Sequence, residues 1–367
     1  MTHDATLPDQ VAARLNPEGV VIFLFHGVIE TQDHPIRNYT GKHLVWPLFE
    51  GCMARLSRKG TVLSMDEILE GLKKRVPFPP YSFAVTFDDG FENNLTVAAP
   101  ILQHWKIPAT IYLTTSFVES NRMSWVDRIE RAVEETQMKE IRLQKKLPPF
   151  ALKDGEDKIH FLKAVRTYVK SNHACSPQLL ANEICQRLGD DREDRSNDPL
   201  DKKLSWEQVV EAQAGGLFHF GGHSHTHAIL SFLSREELDA ELDTSLRLLR
   251  ERAGIGPMHY SYPEGMAHCF SERVIRAMQQ RGWSAARPPW RGSTGWETTR
   301  FFFVAYWWPK QNVRHRRFFR KYSPVAGPDQ PDSEKNGAPR SGYPKSEDLF
   351  LGWEGDHATP AFAAFHP

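Results

Sequence analysis

The sequence predicts an α/β fold built on short parallel strands, closed as a barrel or laid out as a doubly wound sheet. Three observations carry that expectation. Short apolar runs recur at Val20–Phe25, Phe83–Phe87 and Ala109–Leu113, and strands buried on both faces read as continuous runs without alternation. Stretches with helical spacing of apolar residues lie between them. Two of the runs end in polar residues, His26-Gly27 and Asp88-Asp89-Gly90, and parallel sheets place their chemistry at the C-terminal ends of strands.

The elements follow in order. After the first strand, Leu48, Phe49, Met53 and Leu56 fall on one helical face. Ser64 stands three residues before Glu67, the spacing of a capping box, and opens a helix through Leu72. Asn94 to His104 reads as a helix ahead of the third strand. Between Trp125 and Leu204 charged residues rise, strand-like runs vanish and helical spacing dominates, as in Ile159, Phe161, Leu162, Val165, Tyr168 and Val169. Residues 126–203 are therefore expected to be a helical insertion, too long for an ordinary loop. It serves either as a lid or substrate collar or as an architectural elaboration.

The α/β texture resumes with a helix capped by Ser205 and a strand at Leu217–Phe220. A polar helix over Ser234–Ala253, a strand-like His259–Tyr262 and a helix over Ser271–Gly282 complete it. Periodicity is lost after Ala286, and residues 323–367, rich in Pro, Gly, Ser, Asp and Lys, are expected to be a disordered tail.

Composition narrows the function classes. The 367 residues are 40% hydrophobic and 25% charged, as in globular proteins. Lys plus Arg equals Asp plus Glu at 46 each, so no net field favours nucleic acid as a partner. The cluster Arg314, Arg316, Arg317, Arg320 and Lys321 reads as a solvated basic face. No apolar run approaches the roughly 18–20 residues of a transmembrane segment, and MTHDATLPDQ lacks the pattern of a secretory signal. Cys52, Cys175, Cys185 and Cys269 show no CxxC spacing, which fits reduced thiols and a cytoplasmic location. Oligomeric state leaves no mark in the sequence.

Three constellations carry chemistry. Thr86-Phe87-Asp88-Asp89-Gly90 puts adjacent carboxylates at a strand end. On an extended backbone they point apart and can take different jobs, although Asp-Asp-Gly is also good turn chemistry. His223-Ser224-His225-Thr226-His227 is too dense in imidazole for core packing, and imidazole is the commonest zinc ligand. Positions 223 and 227 share a face whether the segment is helical or extended, whereas His225 joins them only if it is extended. Two histidines and one aspartate make a catalytic ligand set with room for water. Tyr262-Pro263-Glu264-Gly265 is a tight turn, ordinary in itself, whose N–H groups can stabilise an oxyanion.

Together, Thr86–Gly90 and His223–His227 resemble the first two motifs of the polysaccharide deacetylases, the NodB-homology family that includes chitooligosaccharide deacetylases. Phe23–Val28 and Tyr262–Gly265 are also similar to that family, and the resemblance covers residues 18–125 and 204–286. It implies a distorted (β/α) barrel as a catalytic domain over residues 18–300, interrupted by the insertion. It further implies a divalent metal, usually zinc, otherwise cobalt or manganese, and hydrolysis of the N-acetyl group of an amino sugar in a glycan or glycan precursor. Lipid-linked glycans at the membrane surface are among the substrates it allows. By the resemblance Asp88 is the general base, and Asp89, His223 and His227 are the metal ligands. The N–H of Glu264 assists the oxyanion, and His26, Tyr262 and Gly265 line the substrate site.

The sequence departs from the family pattern at several places. Ser261 stands where many members have an arginine that tethers the catalytic aspartate, and Glu264 where tyrosine is usual. Gly282-Trp283-Ser284-Ala285-Ala286 echoes the fourth motif without its aspartate. His268 and His315 are the candidates for the late acid histidine. Two other functions stay open on these grounds: an inactive relative that binds a glycan or a protein, and an O-acetyl esterase.

Overall fold

The computed structural model describes residues 7–143, 147–265, 268–269 and 271–283; His315, the basic cluster and the expected tail at 323–367 lie outside them. The chain opens on α1 (Leu7–Ala12), β1 (Val21–Phe25), β2 (Gly27–Ile29) and β3 (His43–Val45), then enters α2 (Trp46–Lys59). β4 (Thr61–Val62) and α3 (Met65–Lys74) lead to β5 (Ser82–Phe87). A π-helical turn at Asn94–Ala98 runs into α4 (Ala99–Trp105), followed by β6 (Ala109–Leu113) and α5 (Thr115–Ser120). The segment expected to be an insertion holds β7 (Glu140–Ile141), β8 (Phe150–Ala151), α7 (Gly155–Ser171) and α8 (Pro177–Leu188), and α6 (Trp125–Glu135) leads into it. The last elements are α9 (Trp206–Ala214), β9 (Phe218–Gly222), α10 (Arg235–Ala253) and α11 (Glu272–Gln280).

The fold is α/β, as the sequence predicts, and its frame is a parallel sheet in the order β1-β5-β6-β9, with β4 pairing the start of β5. Every residue of β5 and β6 is buried, which is why these strands read as unbroken apolar runs. The four strands lie side by side in chain order, as along the wall of a (β/α) barrel. Among the described residues the two ends of that wall are not joined. The expected strand at His259–Tyr262 is reduced to one bridge, Tyr260 to Gly222. Pro257 and Pro263 bracket it, and proline cannot donate to a ladder.

Local sequence signals set the helix starts. The Ser64 hydroxyl accepts from the Glu67 N–H (3.1 Å) while the Glu67 carboxylate accepts from the Ser64 N–H (2.7 Å), and Ser205 with Gln208 and Ser234 with Glu237 repeat the device. The main core gathers Phe23, Phe49, Phe83, Phe87, Ile111 and Leu249 between the sheet and its helices. The inserted segment has a separate core around Phe161, Leu162, Val165 and Ile184. Helices α6, α7 and α8 cover about half of residues 126–203, and β7 and β8 form an antiparallel pair among them. Strands of two residues are too short to leave a periodic trace in the sequence.

Candidate metal centre

The site sits where β1, β5, β6 and β9 end. Asp88 continues the ladder, its N–H donating to the Phe25 carbonyl (3.0 Å). The chain then turns sharply: Asp89 and Gly90 have φ of 72° and 71°. A left-handed conformation costs a residue with a side chain roughly 1–2 kcal/mol, and such strain gathers at functional sites. This turn corrects the expectation that the two carboxylates point apart. Both face His223, whose Nε2 lies 3.8 Å from Asp88 Oδ2 and 3.5 Å from Asp89 Oδ1.

The histidine motif is neither helical nor extended. Ser224 and His227 are left-handed, at φ 66° and 60°, and the Ser224 hydroxyl accepts from the His227 N–H (2.9 Å). Glu241 of α10 holds the turn from outside, one carboxylate oxygen accepting from the N–H groups of His225 (2.9 Å) and Thr226 (2.6 Å). The result joins His223 and His227, with rings 4.9 Å apart, and turns His225 away, where its Nδ1 meets the Thr115 hydroxyl at 2.9 Å. Among the described residues only Asp89, His223 and His227 form a group of three with donor atoms mutually within 4.8 Å.

The donor set fits a cation on its own chemistry. Nδ1 of His223 lies 2.9 Å from the Ser261 carbonyl. A carbonyl only accepts, so Nδ1 carries the proton, and in the neutral ring Nε2 presents its lone pair to the site. That Nε2 and Asp89 Oδ1 are buried without a hydrogen-bond partner, a costly state that an ion between them would relieve. Nε2 of His227 lies 3.3 Å from the same Oδ1.

Ser261 does a second job. Its hydroxyl donates to Asp88 Oδ2 (3.0 Å), so a short neutral tether occupies the place where the resemblance leads one to expect an arginine. Burial pushes the Asp88 carboxyl up to about 6, with His223 and the Ser261 hydrogen bond pulling the other way. Burial alone would raise Asp89 too, but His227, Lys42 and their neighbours outweigh it and hold that carboxyl well below the usual range. His26, buried beside them, is driven down to about 3 by desolvation.

The third-motif turn departs from simple expectation in an informative way. Glu264 is buried and left-handed (φ 64°), and its carboxylate is taken up by Lys170 of α7 at 2.6 Å. Tyr262 is half-buried against Tyr260, and Gly265 closes the turn at φ 58°. Trp283, in the faint fourth motif, is buried with its ring 5.1 Å from Tyr260. His268 is exposed and stacks on Phe232, which is not part of the cluster. Lys42, Asp127 and Glu241 carry no sequence signal: a lysine in a loop and acids in polar helices look like solvated surface.

A strand-end cluster of two imidazoles and two carboxylates, one with its pKa raised, defines a hydrolase-type centre. The chain matches the family Polysaccharide deacetylase over residues 75–146 and 160–286. It belongs to that family, and its reaction class is deacetylation of glycans. The match runs through most of residues 126–203, the segment expected from the sequence to be an insertion. No curated protein sequence matches the chain. Similar solved structures include the deacetylase PplD of Streptococcus pyogenes in complex with acetate (14% identity, 73% of this chain and 82% of that one, TM-score 0.45). IcaB from Ammonifex degensii is similar over 73% of this chain and 82% of that one (16% identity, TM-score 0.44). The BpsB deacetylase domain from Bordetella bronchiseptica is similar over 78% and 94% (16% identity, TM-score 0.42).

Proposed function

We propose that the protein is a metal-dependent N-deacetylase, hydrolysing the acetamide of an amino sugar in a glycan or glycan precursor. The observation that carries this is the His223 tautomer: with Nδ1 bound to the Ser261 carbonyl (2.9 Å), the Nε2 of the neutral ring is left to serve as a ligand facing Asp89. Asp89, His223 and His227 would hold a divalent cation, zinc first by the donor set and cobalt or manganese as alternatives. When bound, such an ion polarises the acetyl carbonyl and makes water a competent nucleophile near neutral pH.

Asp88 is the base. A carboxyl that burial holds at about 6 is ionised at neutral pH yet basic enough to take a proton from the attacking water. Once protonated it is also the group placed to return that proton to the departing nitrogen, so the cycle closes on acetate and a free amine. Ser261 orients it through the 3.0 Å hydrogen bond. The Glu264 N–H is the proposed oxyanion donor, and Lys170 draws the Glu264 carboxylate away from the negative charge that develops there. His26, Tyr262 and Gly265 are the proposed substrate contacts.

Acetate release is measured on N-acetylhexosamine oligomers, nucleotide sugars and O-acetylated analogues, with wild type and Asp88→Asn. Release from N-acetyl substrates, lost in the variant, is expected. Release from O-acetyl substrates alone, or release that survives Asp88→Asn, overturns the proposal.

A further inference from the structure

Asp89 turns one oxygen to the histidines and the other outward. Oδ1 lies 3.3 Å from His227 Nε2 and 3.5 Å from His223 Nε2, while Oδ2 lies 3.9 Å from Lys42 Nζ. Lys42, whose side chain is 9% exposed, is bound more closely to Asp127 Oδ1, at 2.7 Å. Asp127 stands in the first turn of α6, in the inserted segment, where it also caps the helix with Ser124. Its other oxygen is 3.4 Å from the wholly buried Lys203 Nζ, at the far end of the same segment.

The strand-end motif carries both lysines. Phe91, two residues past Asp89, has Lys203 Nζ 3.3 Å and Lys42 Nζ 4.5 Å from its ring centroid. The backbone closes the arrangement: the Leu204 N–H donates to the Gly90 carbonyl (2.9 Å) and the Glu92 N–H to the Lys202 carbonyl (2.8 Å). The far end of the segment therefore grips the residues that immediately follow the two aspartates, and its near end reaches the same place through Asp127 on Lys42 and Lys203. Burying such charges is expensive, and well-packed apolar side chains would join the two parts at least as firmly. What apolar side chains cannot do is draw a carboxylate oxygen toward a charge, as Lys42 does to Asp89 across 3.9 Å.

We infer that the inserted segment is part of the metal centre: Asp127 anchors Lys42, and Lys42 holds the outer oxygen of Asp89 so that Oδ1 alone faces His223 and His227. Lys42 is thus a positioning residue, acting through Asp89, and the inference rests on the metal site proposed above. Its charge is countered at 2.7 Å by Asp127, nearer than Asp89 at 3.9 Å. Its removal should consequently be felt as lost orientation of the ligand rather than as relief of repulsion toward the cation. The ion pair of Lys170 with Glu264 is a second, independent contact from the same segment to the site.

The test is zinc affinity of the full-length, metal-stripped protein, read by competition with a chromophoric chelator. Lys42→Met is expected to weaken zinc binding about 10–100-fold, the usual cost of losing a partner behind a ligand. Lys42→Arg, which keeps charge and reach, should restore most of it, and Asp127→Asn should weaken binding in the same direction. Melting of the metal-free proteins is followed in parallel, so that a folding defect in one variant leaves the other two to decide. Zinc bound by Lys42→Met as tightly as by wild type, or more tightly, overturns the inference while leaving the metal site intact. Failure of wild type to bind zinc, cobalt or manganese at all overturns the metal site itself, and the inference with it.

Discussion

Replacing Asp88 by asparagine should make the metal-free protein more stable even as it abolishes activity. The carboxyl is fully buried and its pKa is raised from 3.8 to about 6. A group whose folded pKa lies above its unfolded one is at its most favourable while protonated. Its contribution is complete below pH 3.8 and is lost as pH rises through 6. The full cost of ionising it in place is about 3 kcal/mol, at about 1.4 kcal/mol per pH unit. Asparagine keeps the shape and can still accept the Ser261 hydroxyl, but never ionises. The advantage of Asp88→Asn over wild type should be about 1 kcal/mol at pH 4.5 and about 3 kcal/mol at pH 7.5. Urea unfolding of chelator-treated proteins across that range measures it. An advantage that does not change with pH, or a variant less stable than wild type at pH 7.5, refutes the reasoning and with it the case for Asp88 as a burial-tuned base.

Other changes probe the parts separately. His225→Ala should leave metal stoichiometry unchanged, because His225 faces Thr115, whereas His223→Ala and His227→Ala should abolish binding; equilibrium dialysis with zinc distinguishes them. Glu241→Ala strips the acceptor from two backbone N–H groups in the histidine turn. It should cost about 1–2 kcal/mol in urea unfolding, because both N–H groups are only part-buried and water can replace some of the lost acceptor. Ser261→Ala removes a hydrogen bond that favours the Asp88 carboxylate. The acid limb of the pH–rate profile should therefore move upward, by about one pH unit, with the alkaline plateau nearly kept.

Much of the frame was legible because buried parallel strands and helix caps write strong local patterns. Phe83–Phe87 and Ala109–Leu113 are read as strands from apolar runs alone, and Ser64, Ser205 and Ser234 mark helix starts by their spacing to a later side-chain partner. The cluster was legible too, since Asp88-Asp89 and the alternating histidines are concentrated in sequence. Its conformation was not. Asp88-Asp89-Gly90 offered turn chemistry, but nothing at Ser224 or His227 selects a left-handed turn over a helix or strand. The histidine turn is held in place by a distant group, Glu241 of α10. Lys42, Asp127 and Lys170 were invisible for a related reason: each meets its partner across 85 or more residues of sequence, and charge alone does not say which lysines are buried. Only the gap at the family's arginine position pointed to Ser261.

The central claim is that Asp89, His223 and His227 hold one divalent ion on which deacetylation depends. Acetate release from an N-acetylated glycan, followed as metal is stripped by a chelator and returned in measured amounts, tests it most directly. Activity should vanish on stripping and return fully at one equivalent of metal per chain, with no recovery in His227→Ala. Acetate release that persists undiminished in fully stripped protein would contradict the account.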